Sequence, residues 1–202
     1  MQDYLLLPFV EIEIRLGTLS KNFDSSIDKK YFNEIKTNLE ECFKNIEKKN
    51  TTEFINKNVK LITQTATSKE VGNFKETLLM KENIINKTFS LHNSPFDIRL
   101  SINQEFSLNS YTHSFSKNNT LIRKKERTSF IDSNYRYDLT IVSETSNGIT
   151  KQKYEIEIEL LINKETLTWS NDYINDFIEC KIYDLINIVE PIERNSFKLN
   201  FF

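Results

Sequence analysis

The stretch YEIEIELL (154–161) places Glu155, Glu157 and Glu159 at every second position. Successive side chains of a strand point to opposite faces, so these carboxylates would form one row about 6.6 Å apart. Ile156, Ile158 and Leu160 would form the opposite row. VEIEIRLG (10–17) repeats the arrangement, with Glu11, Glu13 and Arg15 against Ile12, Ile14 and Leu16. Like charges so aligned repel, and such rows need a reason to persist. Carboxylates from two strands can hold a hard divalent cation, because Mg²⁺ prefers oxygen ligands. LIRKKERTSF (121–130) supplies the opposite sign, with Arg123, Lys125 and Arg127 on one face. Clustered Arg and Lys bind phosphate oxygens, and the Arg fork matches their geometry. An acid-held metal beside a basic row suits binding a polyphosphate and cleaving its end.

The same alternation runs through RYDLTIV (136–142), with Arg136, Asp138 and Thr140 on one face. It also runs through FDIRLSINQEF (96–106), with Asp97, Arg99, Ser101, Asn103 and Glu105 on one face. Ordinary amphipathic strands put one face in water and intersperse the signs. Here five strands repeat the pattern and the signs segregate. A closed barrel accommodates all five, since closure sets alternate residues inside and outside and leaves no open edge. The charged rows would line the lumen, and the apolar rows would pack outward. Six cations (Arg15, Arg99, Arg123, Lys125, Arg127, Arg136) would face seven carboxylates (Glu11, Glu13, Glu105, Asp138, Glu155, Glu157, Glu159). Near balance is what an enclosed set of charges requires.

Two amphipathic helices are predicted to cover the outside. One spans 28–49, with Asp28 as N-cap and Phe32, Ile35, Leu39, Phe43 and Ile46 on its apolar face. The other spans 170–189, capped by Ser170 and followed by Pro191. Strands are predicted at 8–16, 59–66, 74–80, 84–91, 97–107, 120–130, 136–144, 152–162 and 195–201. SETSNGIT (143–150) reads as a turn around Gly148, and residues 107–119 as a polar connector. The fold class is α+β, and 202 residues suit a single domain over 1–202.

The bulk numbers exclude several classes. The net charge of −2 does not advertise nucleic-acid binding, and neither GxxxxGK nor GxGxxG occurs. Cys42 and Cys180 read as reduced packing residues of an intracellular protein. With only His92 and His113 to join them, both read as loop residues, a zinc site is not expected. No apolar run reaches the length of a membrane span, and MQDYLLLPF lacks the basic start of a signal peptide.

Taken in order, EIEIRLG (11–17), FDSSI (23–27), DIRLSINQE (97–105), RKKER (123–127), RYDLT (136–140) and YEIEIEL (154–160) span nearly the whole chain. In this the chain resembles the metal-dependent RNA 5′-triphosphatases of fungal and large-DNA-virus mRNA capping systems, members of the triphosphate tunnel metalloenzymes. The resemblance implies a closed eight-stranded antiparallel β-barrel forming a tunnel. It implies removal of the γ-phosphate from 5′-triphosphate RNA by attack of water, with Mg²⁺ or Mn²⁺. Glu11, Glu13 and Glu159 would hold the metal. Arg99, Lys125 and Arg127 would contact phosphate, while Arg123 and Arg136 would bridge carboxylates. Asp138 and Glu157 would steady those cations or a metal-bound water, with Arg15 and Thr140 in support, and Glu155 would support the first acidic pair. A further basic residue is expected, Lys87 first and Lys81 in reserve, and Glu105 is the candidate for orienting water. Implied partners are the triphosphate end of RNA and a guanylyltransferase protein or domain, because no KxDG motif is present. The implied location is intracellular: the nucleus if cellular, the host cytoplasm or virion if viral. The alternative is a tunnel hydrolase of inorganic triphosphate or free nucleotides.

Overall fold

The computed structural model describes residues 2–65, 75–108, 115–117 and 120–191. The expected strand at 195–201, His113 and most of the connector 107–119 lie outside them. Long strands dominate: β1 (Val10–Leu19), β3 (Ile46–Asn56), β4 (Val59–Thr65), β5 (Lys75–Phe89), β6 (Asp97–Ser107), β7 (Leu121–Ile131), β8 (Tyr135–Ser146) and β9 (Ile149–Leu160). They join antiparallel in the order β1-β6-β5-β4-β3-β7-β8-β9, and β9 pairs back onto β1. The result is the expected closed eight-stranded barrel of an α+β fold. A two-residue strand, β2 (Phe23–Asp24), adds to the end of β1. Three helices complete the described fold: α1 (Gln2–Leu5), α2 (Lys29–Cys42) and α3 (Asn171–Val189). None is long and apolar enough to cross a membrane.

The apolar core lies outside the barrel, between its wall and the helices. Ile12, Ile14 and Leu16 of β1, Ile98, Leu100 and Ile102 of β6, and Ile156, Ile158 and Leu160 of β9 are buried there. Phe32, Ile35 and Leu39 of α2 meet them, as do Ile174, Ile178, Ile182, Leu185 and Ile186 of α3. Burying one such side chain contributes roughly 1.5–3 kcal/mol. Both helix caps are as expected: Asp28 accepts from the Lys30 backbone N–H at 2.7 Å, and Ser170 from Tyr173 at 3.2 Å.

Three expectations are corrected. The helix expected to run to residue 49 stops at Cys42, and residues 46–56 become β3. Phe43 and Ile46 continue the three-four spacing, so local periodicity cannot mark the end. Phe43 instead turns extended and sets its ring against Phe130, Tyr135 and Tyr137, with centroids 5.9, 6.4 and 5.8 Å away. The segments expected at 74–80 and 84–91 are one strand, β5, interrupted by a bulge between Asn83 and Ile85. Cys42 is exposed and not packed, and no disulfide joins it to Cys180. The turn at SETSNGIT is a two-residue hairpin, with Asn147 (φ 50°) and Gly148 (φ 77°) in the positive-φ conformations such turns require.

Gly17 lets β2 close on β1. A Cβ at this position would stand 2.2 Å from the Asp24 carbonyl oxygen and 2.6 Å from the Phe23 ring. Gly17→Ala is therefore expected to destabilise the fold by about 1–3 kcal/mol. Urea denaturation should show a lower midpoint with an unchanged slope.

Candidate active site: a charged lumen

Closure of β1 on β9 builds the site. In that pairing Glu13 lies opposite Glu159, and Arg15 opposite Glu157. The next pairing sets Arg136 opposite Glu159, Asp138 opposite Glu157 and Thr140 opposite Glu155. Opposed residues of antiparallel strands share a face, so the rows expected to be charged face one interior. Two adjoining cavities, of about 210 and 340 Å³, occupy it and share Glu13, Arg15, Glu53, Lys60, Lys81 and Lys125.

The charges are knitted together. Asp138 is fully buried, accepting from Ser129 Oγ (2.5 Å), Arg127 (2.8 Å) and Arg136 (3.1 Å). Arg136 also reaches Glu159 at 2.6 Å. Glu157 sits between Arg15 (2.9 Å) and Arg127 (3.3 Å). Arg123 pairs with Glu155 at 2.6 Å and Glu144 at 3.5 Å. Arg123 and Arg136 thus bridge carboxylates as expected. Glu155 accepts from Arg123 and from Ser25 Oγ (3.0 Å).

Neighbours on one strand feel opposite fields. Burial opposes ionisation of Glu157, but Arg15, Arg127, Lys125 and Lys81 outweigh it and hold the carboxyl far below its usual range. Burial pushes Glu159 up to about 8; Arg136 opposes this, while Glu11, Asp138 and Glu157 add to it. Burial lowers Lys125, with Arg123 and Arg127 adding to the effect and Glu53 opposing it. Arg99 makes no ion pair among the described residues; burial and the charge of Arg15 lower its pKa. Its guanidinium lies 4.8 Å from the centre of the Phe23 ring.

Glu11, Glu13 and Glu159, expected to hold a cation, are drawn to neighbouring cations instead. Lys81 Nζ lies 2.5 Å from Glu11, 3.3 Å from Glu13 and 3.7 Å from Glu105. Among the described residues no group of three or more acids, histidines or cysteines stands arranged to hold a metal. The donor chemistry nevertheless fits a hard divalent ion: all three are carboxylates, and two stand directly opposed.

The bulge in β5 decides which basic residue enters. Before it, Lys81 and Asn83 face inward; the extra residue flips the alternation, so Asn86 faces inward and Lys87 is exposed on the outside. Lys81, held in reserve on sequence grounds, is the lumen residue, and Lys87 is not. Sequence reasoning also missed Lys49, Thr51 and Glu53 on β3 and Lys60 on β4. Glu53 pairs with Lys125 at 2.9 Å, and Lys60 with Glu105 at 2.6 Å. The signal was the alternation of Lys49, Thr51 and Glu53 against Asn50, Thr52 and Phe54, masked by the helical spacing before it.

A family model described as "mRNA capping enzyme, beta chain" matches residues 6–189. Among solved structures, the Pct1 RNA triphosphatase of S. pombe is similar at TM-score 0.72 and 17% identity, covering 92% of this chain and 88% of that one. The same enzyme in complex with the Spt5 CTD gives TM-score 0.69 at 17% identity, with coverage of 92% and 88%. The Mimivirus capping enzyme triphosphatase gives 0.60 at 17% identity, with coverage of 92% and 93%. At such identity these likenesses bear on the fold. No curated protein sequence matches the chain significantly.

Lys125 is paired with Glu53 at 2.9 Å, and Glu53 is only 6% exposed. Glu53→Ala, which strands that buried ammonium, is expected to cost about 3–5 kcal/mol. Replacing the pair with E53L and K125M together should restore most of the loss. Chemical denaturation of wild type, single and double variants reads the difference.

Proposed function

The chain belongs to the mRNA capping enzyme beta-chain family, and we infer that it is the RNA 5′-triphosphatase of mRNA capping, working in the lumen of its barrel. The observation that carries the assignment of the site is the closure register. It opposes Glu13 to Glu159 and brings Lys81, Lys125, Arg127 and Arg99 into the same enclosed space.

The reaction joins a water oxygen to the γ-phosphorus and breaks the bond to the β–γ bridging oxygen. The products are orthophosphate and diphosphate-ended RNA. Arg99, without a carboxylate partner among the described residues, is available to phosphate oxygens. Lys125, Arg127 and Lys81 add positive charge where the transferring group gains negative charge. Glu157 and Asp138 hold Arg127 in place from two sides, which fixes its fork before substrate arrives. Arg15, Arg123 and Arg136 space the carboxylates, with Thr140 accepting from Arg127 Nε at 3.3 Å. Glu105, lining the same cavity, accepts a hydrogen bond from the attacking water and sets its direction. Glu11, Glu13 and Glu159 would hold Mg²⁺ or Mn²⁺, whose charge would polarise a phosphoryl oxygen. The diphosphate product is the acceptor of a guanylyltransferase, in this or another protein, and the setting is intracellular.

Purified protein is expected to release phosphate from γ-labelled triphosphate RNA with Mg²⁺ or Mn²⁺ and to stop when the metal is chelated. Glu11→Ala and Glu159→Ala should each lower kcat by about 100-fold or more, with native circular dichroism. Turnover retained by both variants would reject this site. Lys81→Ala should lower kcat/KM by at least about tenfold, whereas Lys87→Ala should stay within about twofold, since only Lys81 faces the lumen.

A further inference from the structure

The two halves of the lumen differ in kind. The smaller cavity adds three carboxylates, Glu11, Glu105 and Glu157, and three cations, Lys49, Arg127 and Arg136, to the shared residues. The larger one adds no carboxylate; its additions include Lys57, Arg99 and Arg123 and the amides of Asn58, Asn83, Asn86 and Asn103. The register sets the two apart along the barrel. Arg99 is the partner of Arg15, four residues from Glu11, or ~13 Å along the strand. The side-chain Nε atom of Arg99 is buried there with no hydrogen-bond partner.

From this asymmetry, and resting on the triphosphatase reading, we propose a direction for the substrate. The RNA chain leaves the tunnel past the β3–β4 hairpin (Asn56–Val59). Its first nucleoside lies in the amide-lined chamber, and its γ-phosphate lies at the Glu11–Glu159 end.

Two physical reasons converge. The α- and β-phosphates stay on the RNA, and the chamber rich in Arg and Lys but poor in carboxylates is the one that holds them. Ribose hydroxyls and base edges are neutral donors and acceptors, and neutral amides match both without the desolvation cost of charge. The opposite end offers the smaller space, and there the added carboxylates offset the added cations, whereas the larger chamber adds charge only as cations. The site reads the presence of a first nucleoside, and selectivity for RNA over inorganic triphosphate follows.

The test uses the wild-type protein and an RNA with a 5′ β,γ-imidotriphosphate and 4-thiouridine as first nucleotide. After irradiation, adducts mapped by mass spectrometry are expected within residues 54–59, 83–86 or 99–101. Adducts at 47–50 or 134–136, the other mouth, would overturn the orientation. So would adducts on α2 or α3, or none at all while ordinary triphosphate RNA is still hydrolysed. A wild-type protein that releases no phosphate in that parallel assay rejects the triphosphatase reading itself. Lys57→Glu should also raise KM for triphosphate RNA at least about tenfold more than Lys49→Glu at the opposite mouth. Equal effects would count against the proposal.

Discussion

Everything in this molecule depends on β1 pairing with β9. An open sheet would leave the glutamate rows of the two strands more exposed to water and part Arg15 from Glu157, although Arg136 would still face Glu159 across β8 and β9. Closing it places Arg15 opposite Glu157 and Glu13 opposite Glu159, and takes both rows out of bulk solvent. Charges removed from water are tolerated only when nearly balanced and hydrogen-bonded. The network around Asp138 and Glu157 meets that demand with arginines whose forks reach two carboxylates each. The apolar rows on the reverse of the same strands supply the opposing free energy by packing beneath α2 and α3. One alternation in sequence thus builds both the core and the site.

The balance is uneven by position, and this gives the lumen its chemistry. Glu157 is held ionised between arginines, whereas Glu159, two residues away, is pushed toward its neutral form by burial and by carboxylate neighbours. Fixed ion pairs make Glu157 a support for Arg127. Glu159 has Glu13 opposite it across the closing pair and Arg136 on its other side. Arg99 is the complement at the other end, a cation without a carboxylate, held against an aromatic ring. A triphosphate with a divalent ion would bring an anion to Arg99 and a cation to the opposed carboxylates.

Similarity to solved triphosphatases at 17% identity, with a TM-score of 0.72, fits this physics. A barrel demands alternate residues inside and outside, a shear and a closing pair. It makes few demands on which apolar residue faces out or which polar residue fills the rim. The helices likewise need only an apolar stripe and a cap, which Asp28 and Ser170 supply.

The charged rows of β1, β6, β7, β8 and β9 were legible in the sequence because a strand's period of two is a local property. So were the polar lumen, the apolar outer coat and both helix caps. What the tertiary structure decided was every question of partner. Phe43 ends its helix because three aromatic rings await it on β7 and β8, and the freed segment pairs with β7 and brings Glu53 to Lys125. The β5 bulge turns Lys81 inward and Lys87 outward, against the simple alternation of an unbroken strand. Such choices depend on contacts between residues far apart in the chain, which compete with local preference only once the barrel has closed.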